Sequence, residues 1–203
     1  MNTIQADYQS DAVAFGAHPD DVEMGMAGTV AALTAAGRRV AIISLTRGEL
    51  GTHGTPETRA KEAEEAARIV GADVRHYDFP DGAVVVDLEG RHAMARIIRE
   101  LQPSIVFAPY PHSRTGPLDG RSNVDHLATG LLVRAGCKLA RFKNLMPDLA
   151  PHDIKRIYYY MLPEGVKPSF VADVSGHREA IERSIGAYAS QMGIERGPRR
   201  VME

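Results

Sequence analysis

The chain has 203 residues, 44% of them hydrophobic and 25% charged, which suits one globular domain with a sizeable core. Its formal net charge of -2 gives no electrostatic reason to expect nucleic acid or an anionic membrane as partner. The single cysteine, Cys137, excludes an intrachain disulfide, and no apolar run approaches the roughly 18 residues of a membrane span. The polar N-terminus has no basic flank leading into an apolar segment, so the expectation is a cytoplasmic protein.

In chain order, "DAVAFGA" (11–17) reads as a first strand, and "VEMGMAGTVAALTAA" (22–36) as a helix stopped at Gly37. "RVAIISL" (39–45) is a second strand. Thr55 and Pro56 supply an N-cap and a first-turn proline for a helix over 57–70 that closes at Gly71. A third strand (72–79), a helix (91–101), a fourth strand (104–110) and a helix (123–140) follow. Two more strand-like runs, 156–162 and 169–174, precede a last helix around 178–192. The basic "RGPRR" (196–200) reads as a solvated tail, and Cys137 as a buried structural thiol. The alternation predicts an α/β fold, a Rossmann-like three-layer sandwich whose mostly parallel sheet is flanked by helices, as one domain over 1–203.

In such a sheet the loops leaving the carboxyl ends of the strands share one edge, where ligands bind. Those loops hold "HPDD" (18–21), "TRGELGTHG" (46–54), "PDG" (80–82) and, after the fourth strand, "NVDH" (123–126). Pro19 holds His18 extended, so the ring can point off the strand end while the aspartates turn into the next helix. One aspartate can cap that helix; a second beside it adds repulsion unless a cation compensates. Two histidines and a carboxylate are a donor set for a catalytic zinc, and His126 brings the second imidazole. "GMAGTV" after "HPDD" also holds glycines, but His and Asp occupy the turn where a dinucleotide fingerprint would cradle a pyrophosphate. A receiver-type phospho-acceptor would need an acceptor at Asp78 or Asp81 and a lysine further on, and no lysine stands at the matching strand end.

The motifs "AHPDD", "TRGELGT", "FPDG" and the "DH" after "FAPY" resemble the PIG-L/LmbE-type zinc-dependent N-deacetylases over nearly the whole chain. Within that family, "YYYM", "PSFVADVS" and "AYASQM" are most similar to the bacillithiol-biosynthesis deacetylases, which act on N-acetylglucosaminyl-malate. The resemblance implies that His18, Asp21 and His126 bind zinc, with ferrous iron the other ion such a site accepts, and that Asp20 is the general base. It also implies a small N-acetylated amino sugar conjugate as substrate and a homo-oligomer, trimer or hexamer. The family has His-Pro-Asp-His where this chain has Asn123-Val124-Asp125-His126. Asn123 can donate a hydrogen bond to an oxyanion but cannot shuttle a proton, and Asp125 would orient a neighbour. His112, in the loop that precedes Asn123, and His53, in the loop after the second strand, are the imidazoles that could substitute for the lost proton donor. Arg47, Arg114 and Arg121 could grip a substrate carboxylate and Glu49 could accept sugar hydroxyls, whereas "EAEEAAR" reads as a solvated helix face, although Arg59 and Glu62 match the family pattern. A metal-binding regulatory relative that lost the proton donor at Asn123 is the competing reading.

Overall fold

The computed structural model describes residues 9–112 and 123–192. Five parallel strands, β1 (Ala12–Gly16), β2 (Val40–Ser44), β3 (Asp73–His76), β4 (Ile105–Pro109) and β5 (Arg156–Tyr160), lie in the order β3-β2-β1-β4-β5. The sheet is parallel throughout. Helices α1 (Asp21–Ala35), α2 (Pro56–Val70), α3 (Leu88–Leu101) and α4 (Val124–Leu139) follow the first four strands.

Both faces of the sheet are covered, so the inner strands carry apolar side chains in both directions. Val13 and Phe15 of β1 pack with Ile43, Val106, Met94 and Leu132 under α3 and α4. Ala12 and Ala14 of the same strand face the other way, with Val22, Val30 and Ile42 under α1. The strand order reverses between β1 and β4, which opens the crevice at the carboxyl edge. "HPDD" leaves β1 and α4 enters after β4, one on each side of that point.

The predicted caps are observed: the Thr55 side chain accepts from Thr58 N–H, and Gly71 ends α2 with φ 73°. Cys137 is buried, and burial pushes its thiol up to about 12. Two expectations are corrected. Residues 169–174 form no strand, because Val174 docks against α1 beside Gly28 and draws the segment out of the sheet. The last helix is broken: α5 (Arg178–Gly186) and the short α6 (Ala189–Met192) flank Tyr188, which turns inward between Ala63 and Ala66 of α2. The tail 196–200 lies outside the described residues. No helix among the described residues is long and apolar enough to cross a membrane.

Arg99 ties the far side together. Its guanidinium, 2% exposed, donates to the carbonyls of Ala140 (2.9 Å), Met146 (2.8 Å) and Leu149 (2.8 Å), with Phe142 O a fourth acceptor. Arg99→Met should strand these acceptors and cost about 3 kcal/mol of stability in urea unfolding.

Candidate active site

The two adjacent aspartates are separated by the backbone. Asp20 stands at the N-cap of α1 with φ 101° and makes no side-chain cap bond, so its carboxylate is not spent on the helix. Asp21 turns back instead: its Oδ2 accepts from the N–H groups of Ala17 (2.8 Å) and His18 (2.9 Å). This close turn requires Gly16, since a Cβ there would lie 2.8 Å from the Asp21 Cβ. The other oxygen, Asp21 Oδ1, is 2.9 Å from His126 Nε2.

His126 sits in the first turn of α4, where the Asn123 Oδ1 accepts from Asp125 N–H at 2.9 Å and His126 N–H at 3.4 Å. Asn123 is thus the helix cap, and its amide nitrogen remains the donor end. The His18 and His126 rings are 5.4 Å apart, and ligand atoms of His18, Asp21 and His126 all lie within 4.8 Å of one another. Two imidazoles and one carboxylate at that spacing fit a zinc-type donor set.

The far end of the His18 ring is held as well. Nε2 lies 3.1 Å from Asp81 Oδ1 and 3.2 Å from Asp125 Oδ2, so a proton on Nε2 has carboxylate acceptors and Nδ1 faces Asp21 at 3.5 Å. A carboxylate behind a ligating imidazole fixes its tautomer and ring orientation. Asp125 also accepts from Gly82 N–H (2.7 Å) and Val84 N–H (3.1 Å), which clamps the loop after β3 against α4. His18, Asp81 and Asp125 form a second tight group of donor atoms.

Arg59 holds Asp20. Only 4% exposed, it donates to Pro19 O (2.6 Å), Asp20 Oδ2 (3.2 Å) and Gly48 O (3.2 Å). Gly48, with φ 67°, has no room for a Cβ, which would fall 2.0 Å from the guanidinium. The expectation of a solvated face for 62–68 is corrected at Glu62, which accepts from Ser190; Arg59, three residues before that stretch, is buried. Arg59 lies on the buried stripe with Ala63, Ala66 and Val70, a helical spacing that was visible in the sequence. Asp81 also escaped the sequence reading as a site residue, although it stands in the "FPDG" motif at the carboxyl edge.

The expected substrate residues are not all free. Arg47 pairs with Asp78 at 2.5 Å, and Glu49 accepts from Arg47 N–H (3.2 Å) and Asp81 N–H (2.9 Å), bridging two loops. Arg114 and Arg121 lie outside the described residues. His53 and His112 are exposed; the His112 ring stacks edge-on near Tyr110.

The charges follow from this packing. Burial raises the Asp20 carboxyl and the Asp21 charge adds to it; against Arg59, His18 and His126 the result is about 7. Burial would also raise Asp21, but the hydrogen bonds from His126 and His18 hold it below the usual carboxylate range. For His18, burial lowers the imidazole, yet the hydrogen bond and charge of Asp21, the Asp81 charge and the Asp125 hydrogen bond lift it to about 9.

A protonated imidazole has no lone pair to give a metal at the nitrogen that carries the proton, so for an ion to bind at this donor set His18 would have to release one. Zinc affinity of the metal-free protein should rise about tenfold per pH unit below about pH 9. Titration calorimetry in buffers of different ionisation enthalpy, which counts the proton released, checks this.

Residues 13–137 match the PIG-L family, described as GlcNAc-PI de-N-acetylase. The diacetylchitobiose deacetylase of Thermococcus kodakarensis is 30% identical over 187 residues, covering 86% of this chain and 67% of that protein. A probable N-acetyl-alpha-D-glucosaminyl L-malate deacetylase 2 of Bacillus anthracis is 32% identical over 129 residues, covering 57% of this chain and 54% of that protein. The conserved protein TT1542 of Thermus thermophilus superposes with a TM-score of 0.84 at 36% identity, over 96% of this chain and 84% of that one. The chain spans about two thirds or less of the length of these curated relatives. With the family's match running from β1 into α4 and so including both loops that bring His18, Asp21 and His126 together, the chain belongs to the PIG-L family.

Proposed function

We propose that the protein is a zinc-dependent N-deacetylase of a small N-acetylglucosaminyl conjugate, with N-acetylglucosaminyl-malate, as in bacillithiol biosynthesis, the leading substrate. One observation carries the reading: Asp20 is held beside the donor set by Arg59 and is spent neither on it nor on the helix. The named activities of the relatives, on diacetylchitobiose and on a glucosaminyl malate, support the substrate class.

His18, Asp21 and His126 would hold the ion, with Asp125 and Asp81 fixing the His18 ring from behind. Zinc bound there would polarise the amide carbonyl and lower the pKa of a water towards about 7. Asp20 takes the proton from the attacking water, and its carboxyl value of about 7 suits a group that both accepts and returns a proton near neutrality. Asn123 offers its amide N–H to the developing oxyanion, because its oxygen is tied to α4. It has no proton to hand to the leaving amine, so Asp20 returns the one it took. The C–N bond then breaks to acetate and a free amine.

The substrate carboxylate would be read by Arg47, which would exchange Asp78 for the malate group, and by Arg114 and Arg121, which stand between β4 and α4 in the sequence. Glu49 serves this reading by holding the loops that carry Arg47 and Asp81.

Acetate release from N-acetylglucosaminyl-malate, against plain N-acetylglucosamine and a chelated sample, tests the proposal. Metal-dependent release favouring the conjugate is expected; zinc bound in full with no release from either would favour a non-catalytic metal protein. Asp20→Asn should lower kcat by about 100-fold or more while zinc content stays the same. Loss of zinc in that variant would mean that Asp20, not Asp21, is the ligand. Asn123→His should keep or raise kcat, and a collapse would show that the Asn123 cap cannot be replaced.

A further inference from the structure

Pro109 ends β4, which lies between β1 and β5, and a proline there has no N–H to give the ladder. The loss falls on β1. Gly16 O accepts from Leu45 N–H on the β2 side at 3.0 Å, and the polar groups of successive strand residues point to opposite sides, so Phe15 O points towards β4. The β1–β4 register pairs Ala12 with Ile105, Val13 with Val106 and Ala14 with Phe107, and stops there. One step further, Phe15 O would take its hydrogen bond from the N–H of residue 109, which the proline lacks. Phe15 is fully buried, so bulk water cannot serve that carbonyl.

The missing donor comes from β5. Tyr160 stands opposite Pro109 in the β4–β5 register, and its hydroxyl reaches across β4 to donate to Phe15 O at 2.8 Å. Its ring is buried with Val22 and Met26 of α1, so close to that helix that a Cβ at Gly25 would fall 2.5 Å from it. Gly25 is about one turn beyond Asp21. Tyr160 thus touches both ends of the segment that leaves β1 and enters α1, and His18, Asp20 and Asp21 lie between those two contacts.

We infer that Tyr160 is a positioning residue for His18 and Asp21: by replacing the N–H that Pro109 cannot give, its hydroxyl fixes the end of β1 against α1 so that the donor atoms face one another before an ion arrives. Ala17 and His18, whose N–H groups hold Asp21 Oδ2, follow Phe15 by two and three residues. Without the hydroxyl, Phe15 O must turn towards another donor, and the peptide units after it turn too. Tyr160 is not itself among the donor atoms, so its effect passes through His18 and Asp21.

The inference rests on the proposed donor set and is read by metal binding rather than turnover. Tyr160→Phe keeps the ring and removes the hydroxyl. The metal-free variant should bind zinc about tenfold more weakly than wild type in competition with a chromophoric chelator. Its cobalt(II) form should show visible bands changed in position or intensity, a signature of altered coordination that a mere loss of stability does not move. Arg99→Met, destabilised on the far side, should keep wild-type zinc affinity and bands. Wild-type affinity or wild-type bands in folded Tyr160→Phe overturn the inference, as does an equal loss in Arg99→Met. Gly25→Ala reaches the same contact from α1, since alanine favours the helix while its methyl displaces the ring. It should weaken zinc binding in the same way, and it decides the matter where Tyr160→Phe gives no folded protein. Wild-type protein that binds neither zinc nor cobalt would overturn the donor set itself, and the inference with it.

Discussion

The left-handed turn at Asp20, φ 101°, is the constraint on which the site depends. Two neighbouring carboxylates in a poorly solvated crevice repel each other, and a regular helix start would leave both near the same end of the dipole. The turn sends them to different partners: Asp21 to the Ala17 and His18 amides and the His126 ring, Asp20 to Arg59. Each negative charge meets its own donors, and the difference shows in the two carboxyls, one lowered and one raised to about 7. Adjacent residues of one type thereby acquire opposite properties, as a ligand and a proton carrier need.

That turn is maintained from several directions at once. Gly16 and Gly48 leave space where a methyl group would collide, Arg59 bridges three acceptors, and the C-terminal segment braces α2 from behind. The opposite wall is built in the same manner. Asp125 is buried under the loop after β3, accepts two backbone amides from it, and still faces the His18 ring. One carboxylate therefore joins three separate chain segments: the loop after β1, the loop after β3 and the start of α4. Such sharing makes the arrangement stiff, which suits a site whose groups must be in place before substrate arrives.

The departure at Asn123 shows how one side chain can satisfy a structural need while giving up a chemical one. Asparagine is among the best N-caps, and here it bonds both Asp125 and His126 N–H groups, so it sets the helix that presents His126. A histidine at that point could pass a proton; the amide cannot. The proton economy of the proposed reaction then falls on Asp20.

The amino-acid sequence by itself determined the parallel α/β layout, because strand-length apolar runs alternate with helical periods and caps such as Thr55 and Gly71 mark the ends. It also exposed His18, Asp20, Asp21 and His126, since short motifs at strand ends carry their chemistry in residue type and spacing. Tertiary structure decided the rest. Whether 169–174 pairs or stays unpaired depends on Val174 finding Gly28 of α1, a contact across more than a hundred residues that no local pattern encodes. The same holds for the partners of Asp20 and His18. Arg59 and Asp81 are distant in sequence, and only the packing of α2 and the loop after β3 around the crevice brings their polar atoms within bonding range.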